Sequence, residues 1–148
     1  MKNDRYDEYQ VNNRNKIAFE TLIIITLLVF INGFVKMIYI WAEPLMESLV
    51  LLYIPSIYFA IRSIWKNAYF SKKEKYPGFY IAIFLLITLV NLYTVVTSIY
   101  HGFFVIIEDG KLANGAGVLF MLGFTGSITI AMIARKFADK QVLSSNSC

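Results

Sequence analysis

Four long apolar runs separated by short polar segments make up most of this chain, and the third is the clearest. Residues 78–100 read GFYIAIFLLITLVNLYTVVTSIY, without one charged side chain. As a helix this run is about 35 Å long, slightly more than the ~30 Å hydrocarbon core of a bilayer. Pro77-Gly78 opens it and His101-Gly102 closes it. A second uncharged run, 112–134, stops at Arg135-Lys136. The first run of the chain covers 17–41, with Lys16 and Lys36 flanking its most apolar part and Asn32-Gly33 interrupting it near the far end. It starts only at Ile17 and no small-x-small cleavage site follows, so it is expected to be a retained span. The remaining run, 45–65, follows Glu43-Pro44, where proline fits the first turn of a helix. Its strictly uncharged part is short, 48–61. It reaches spanning length only with Glu47 and Arg62 at opposite interfaces and their heads in water. Pro55, at its centre, frees the carbonyl of Leu51 and predicts a kink.

This pattern predicts an all-α integral membrane four-helix bundle. A polar tail, 1–16, precedes a transmembrane domain, 17–134, with spans at about 17–41, 45–65, 78–100 and 112–134. A second tail, 135–148, follows. The first tail is expected either as disordered chain or as a short interfacial helix. Between the last two spans, FFVII at 103–107 precedes Glu108-Asp109-Gly110, a turn signal. For FFVII itself a helix extension, an interfacial segment and a short extended piece all stay open.

Composition agrees with this class. Hydrophobic residues make up 57% of the 148 residues and charged ones 16%, where soluble domains have roughly 45–50% and about 25%. The net charge of +4 is not a nucleic-acid signal, because the charges lie between the apolar runs. Twelve of the fourteen Lys and Arg fall in the N-terminal tail, the segment 62–75 and the C-terminal tail. The two other connections hold only Lys36 and Lys111, beside Glu43, Glu47, Glu108 and Asp109. By the positive-inside rule both termini are expected in the cytoplasm. The basic loop Lys66, Lys72, Lys73 and Lys75, with Tyr69, Phe70 and Tyr76 interleaved, suits anionic lipid headgroups at about 1 kcal/mol per lysine. The single cysteine, Cys148, excludes an intrachain disulfide and a multi-cysteine metal site.

Candidate chemistry is sparse. Thr88, Asn91, Thr94, Ser98 and His101 share one face of the third span. They form either a track for a small polar solute or a set of interhelical hydrogen bonds, and the second reading is preferred because Thr and Ser satisfy themselves cheaply within a helix. Gly123, Ser127 and Ala131 in the fourth span lie four apart and form a small-residue packing seam, within one chain or between chains. Glu20 and Arg62 are expected as an ion pair at the cytoplasmic side, a clip between the first two spans rather than a midplane proton site. His101 with Glu108 and Asp109 matches no metal-ligand spacing. No nucleophile–base pair or phosphate loop is recognisable, so no enzyme, metal or cofactor is expected.

Arg14-Asn15-Lys16-Ile17 with Glu20 opens the first helix, and Tyr58-Phe59 with Arg62 and then 66–69 closes the second. In these loose motifs, over roughly the first half of the chain, it resembles an uncharacterised family of small multi-span membrane proteins from low-GC Gram-positive bacteria. The resemblance implies a bacterial plasma-membrane location. Through members encoded near small transcriptional regulators, it also implies a part in envelope-stress or drug responses. It implies no activity. The expected function is a small non-enzymatic, multi-pass protein of the bacterial plasma membrane. It would act by association within the membrane, as an accessory or regulatory subunit or as a homo-oligomer. The alternative is a small dimeric transporter of a polar or cationic solute along the polar stripe of the third span. Expected partners are the anionic headgroups of the cytoplasmic face and a second copy or another membrane protein; nucleic acid is not among them.

Overall fold

The fold is that of a computed structural model, which describes residues 7–66, 68 and 77–145. Four helices, each long and apolar enough to cross a bilayer, carry it: α1 (Glu8–Ile38), α2 (Pro44–Trp65), α3 (Pro77–Tyr100) and α4 (Gly117–Ser145). A two-stranded antiparallel hairpin, β1 (Ile107–Glu108) with β2 (Lys111–Leu112), and a 3-10 turn, Asn114–Ala116, lie between α3 and α4.

Local chemistry sets the helix ends. Asp7 precedes α1, and its backbone N–H donates to Gln10 Oε1 at 3.4 Å, which satisfies a donor at the helix start. Helix α1 therefore begins inside the polar N-terminal segment, at Glu8, and runs without a break into the apolar run. It ends at Ile38, short of Trp41, because Tyr39 turns extended. Glu43 caps α2 and Pro44 takes its first position. Pro55 is fully buried, and α2 continues through it. Helix α3 has the bounds that Pro77-Gly78 and His101-Gly102 predict.

Helix α4 departs from the expected span at both ends. It starts at Gly117 rather than at 112, and it continues past Arg135-Lys136 to Ser145. The first residues of the uncharged run are spent on backbone pairing instead of helix. Leu112 pairs with Ile107 in the hairpin, and its N–H donates to Trp41 O at 2.8 Å. Glu43 N–H donates to Leu112 O at 3.0 Å, so β2 also bridges Ala42 in the connection between α1 and α2.

Packing follows the order α1–α2–α4–α3, and among the described residues each helix shares an extensive packed face only with its neighbours in that row. Helices α2 and α4 run parallel at the centre. At one end Met46 packs with Ala42 and Ala116; at the other Ala60 and Ile64 pack with Ile128, Ala131 and Met132. In the most apolar window of α4, 33% of residues are buried, against 6% in each of α1 and α3. The flanking helices are held by one face and leave the rest of their apolar surface open.

The two ends of the row differ in charge. One end carries Arg14, Lys16, Arg62, Lys66, Arg135 and Lys136; the other carries the hairpin with Lys36, Lys111 and the four acids Glu43, Glu47, Glu108 and Asp109. They are called below the basic end and the hairpin end.

Candidate functional site

Polar side chains meet at three levels along the row. At the basic end Tyr58 Oη donates to Glu20 Oε2 at 2.8 Å. The guanidinium of Arg62 stands further off, Nη2 to Glu20 Oε2 3.5 Å. Glu20 and Arg62 thus face each other across α1 and α2, with the tyrosine hydroxyl as the closer contact. Both side chains are partly open to the surroundings. Arg135 of α4 reaches across to Trp65 O at 3.4 Å and pairs with Asp139 at 2.9 Å. Lys66 sits at the end of α2; Lys72, Lys73 and Lys75 lie outside the described residues.

At mid-height the expected stripe of α3 divides. Thr88 Oγ1 and Thr129 Oγ1 of α4 are 3.0 Å apart, and Asn91 Nδ2 donates to Thr125 Oγ1 at 3.2 Å. These two rungs join α3 to α4. Thr94 is exposed and donates to Val90 O of its own helix at 2.9 Å. Ser98 is half-buried and His101 exposed, its ring against those of Tyr100 and Phe103. The face is shared, but only its first half meets another helix through hydrogen bonds.

The third level, near the hairpin end, is a network that the sequence does not single out. Glu47, only 8% exposed, accepts from Asn32 Nδ2 at 2.6 Å and from Lys36 Nζ at 2.7 Å. Trp41 Nε1 donates to Asn32 Oδ1 at 2.8 Å. Both carboxylate oxygens and both ends of the asparagine amide are used, which makes burial of the acid tolerable. The signal for it was Asn32 itself, an amide inside an apolar run that needs a partner.

The small-residue seam also divides. Ala131 is buried against α2. Gly123 is exposed, and a β-carbon there would meet nothing within 4 Å. Ser127 donates its hydroxyl to Gly123 O at 2.6 Å. Gly123 and Ser127 line a groove of about 380 Å³ between α2 and α4, with Tyr53, Ile57, Phe120 and Phe124 among its walls. Tyr53 and Phe124 stack at 5.1 Å, and the tyrosine hydroxyl donates to Met121 Sδ at 2.8 Å. The groove is apolar, and its hydroxyls are already bonded inside the chain.

Among the described residues no three His, Cys, Asp or Glu side chains converge as a metal site would require. Comparison with known proteins adds no assignment: no family model, no curated protein and no solved structure matches the chain.

Proposed function

We propose that this chain is a small non-enzymatic integral membrane protein of the bacterial plasma membrane, with both termini cytoplasmic. It acts by association inside the bilayer, and the groove between α2 and α4 receives an apolar helix of a second copy or of an accessory-complex partner. The observation that carries this reading is the uncovered floor of that groove. Gly123 has no neighbour within 4 Å to explain its missing side chain, while small residues in membrane helices serve the close approach of another backbone. The stretch from Leu119 to Ser127 is about 12 Å of helix, an elongated slot that suits a helix ridge better than a compact solute. Its walls demand no hydrogen bond from an occupant. The transporter alternative draws less support, because Thr88 and Asn91 are engaged with α4.

Gly123→Leu and Ser127→Leu test the reading, since both side chains would grow into the groove; the first meets nothing within 4 Å at its β-carbon, and the second gives up only the Ser127 hydroxyl bond to its own helix. Purified in nanodiscs or mild detergent from native membranes, the chain is expected to run as a defined assembly. The variants are expected to run as the monomer and to keep a cooperative thermal unfolding transition, at a midpoint lowered only by the lost association. An assembly that survives both substitutions does not use this groove.

A further inference from the structure

An apolar surface continues past the end of α3 into a segment that is not helical. Tyr100, Phe103 and Ile107 are 85%, 77% and 68% exposed, and they prolong the exposed apolar face of α3 at Val96 and Ile99. In water such a run is costly at roughly 25 cal/mol per Å² of apolar area. Part of its backbone is paired within the chain. The N–H groups of His101 and Phe103 donate to Thr97 O and Ser98 O, each at 3.0 Å, Val105 N–H donates to Phe103 O at 3.1 Å, and Ile106 O accepts from Ala113 at 2.9 Å. The other N–H and C=O groups of the segment need water or headgroups as partners, which the bilayer interface supplies and the hydrocarbon centre does not.

The height of the segment is fixed by its contacts. Tyr39, the residue that ends α1, donates its hydroxyl to Gly110 O at the hairpin turn, and β2 is bridged to Ala42. The hairpin thus lies level with the helix ends, which carry Tyr39, Trp41 and Tyr100, residue types that favour a bilayer's headgroup belt. Beyond the apolar run, Glu108 and Asp109 are exposed, which keeps the turn itself on the water side.

From this arrangement we infer that residues 100–107 are an interfacial anchor, lying in the headgroup and upper acyl region of the leaflet at the hairpin end with phospholipid as the partner. The inference rests on the membrane reading above, and the experiment separates the two. In a Cys148→Ser background, single spin labels are placed through Phe103→Cys, Ile107→Cys, Glu108→Cys and Leu86→Cys, the last on the exposed face of α3. The chain is reconstituted in phosphatidylcholine–phosphatidylglycerol vesicles, and accessibility to oxygen and to a water-soluble nickel chelate is compared. Labels at 103 and 107 are expected to show an oxygen-over-nickel ratio several-fold above that at 108 and below that at 86. Ratios at 103 and 107 equal to that at 108, with 86 still oxygen-rich, overturn the anchor and leave the membrane reading standing. Exclusion of both reagents at 103 and 107 means that protein covers the patch and likewise overturns it. A water-like ratio at 86 overturns both readings together.

Discussion

A β-carbon at Gly115 would overlap the carbonyl oxygen of Val105 and come within 3.0 Å of its amide nitrogen. Both are backbone atoms and cannot swing aside. Gly115→Ala is therefore expected to lower stability by about 1–3 kcal/mol, the usual cost of overpacking, read as a fall in the thermal midpoint in detergent. Gly117→Ala, where the nearest atom is the flexible Met46 Sδ at 3.5 Å, is expected to leave it within error. Neither distinction is legible in the sequence, where Asn114-Gly115-Ala116-Gly117 looks like one loose small-residue stretch. The same holds for Glu47. Its position at an interface follows from the lack of charge over 48–61, but its partners, Asn32 and Lys36, depend on the relative register of α1 and α2, which residue spacing within one helix does not contain. Glu20 and Arg62 were easier to connect because the hairpin topology of two antiparallel spans brings their ends together.

At the scale of elements, boundaries were legible where proline, glycine or charge marks them and illegible where pairing with a distant segment decides. Helix α3 is bounded by Pro77 and by the turn at His101-Gly102. The start of α4 was not readable, since an uncharged run is equally apolar as strand or helix and the pairing of Leu112 with Ile107 and Ala42 decides between them. In the hairpin, Asp109 and Gly110 both have positive φ, 49° and 76°, as a two-residue type I′ turn requires; the Asp-Gly pair was the visible sign of it. Between α3 and α4 the Thr88 and Asn91 rungs set the register. Interhelical bonds of this kind are worth about 0.6 kcal/mol each in membranes. Asn91→Leu is thus expected to shift thermal unfolding only slightly and to leave any reconstituted solute flux unchanged. Loss of flux at an unchanged unfolding midpoint would give the stripe the transport role instead.

For the whole molecule the unexpected property is openness. A closed four-helix bundle would pack α1 against α3, but among the described residues the two share no packed face, and the parallel pair α2 and α4 lies between them. The four apolar runs predict how many helices there are and their alternating directions, not their lateral order. Order depends on which faces carry fitting side chains, and nearly every position on these helices is apolar. Cysteine pairs give the check in the Cys148→Ser chain. Thr88→Cys with Thr129→Cys is expected to cross-link readily in membranes. Pairs joining the middles of α1 and α3 are expected not to react within one chain. Efficient α1–α3 cross-linking at dilution would mean that the row closes into a ring.

The bridge between Ala42 and Leu112 has a consequence for the order in which the chain is built. Tyr39 and Gly110, which meet at the same place, stand 71 residues apart in sequence. When α1 and α2 first leave the ribosome, the Trp41 carbonyl and the Glu43 amide face an empty edge, and they find their partner only after α3 has been made and the chain has turned back. The clasp at the hairpin end can close only once α3 and β2 have been made, with α4 still to follow. In the finished fold α1 and α2 also have two polar contacts of their own that do not involve the clasp, Glu20 with Tyr58 and Arg62 at one end and Glu47 with Asn32 and Lys36 at the other.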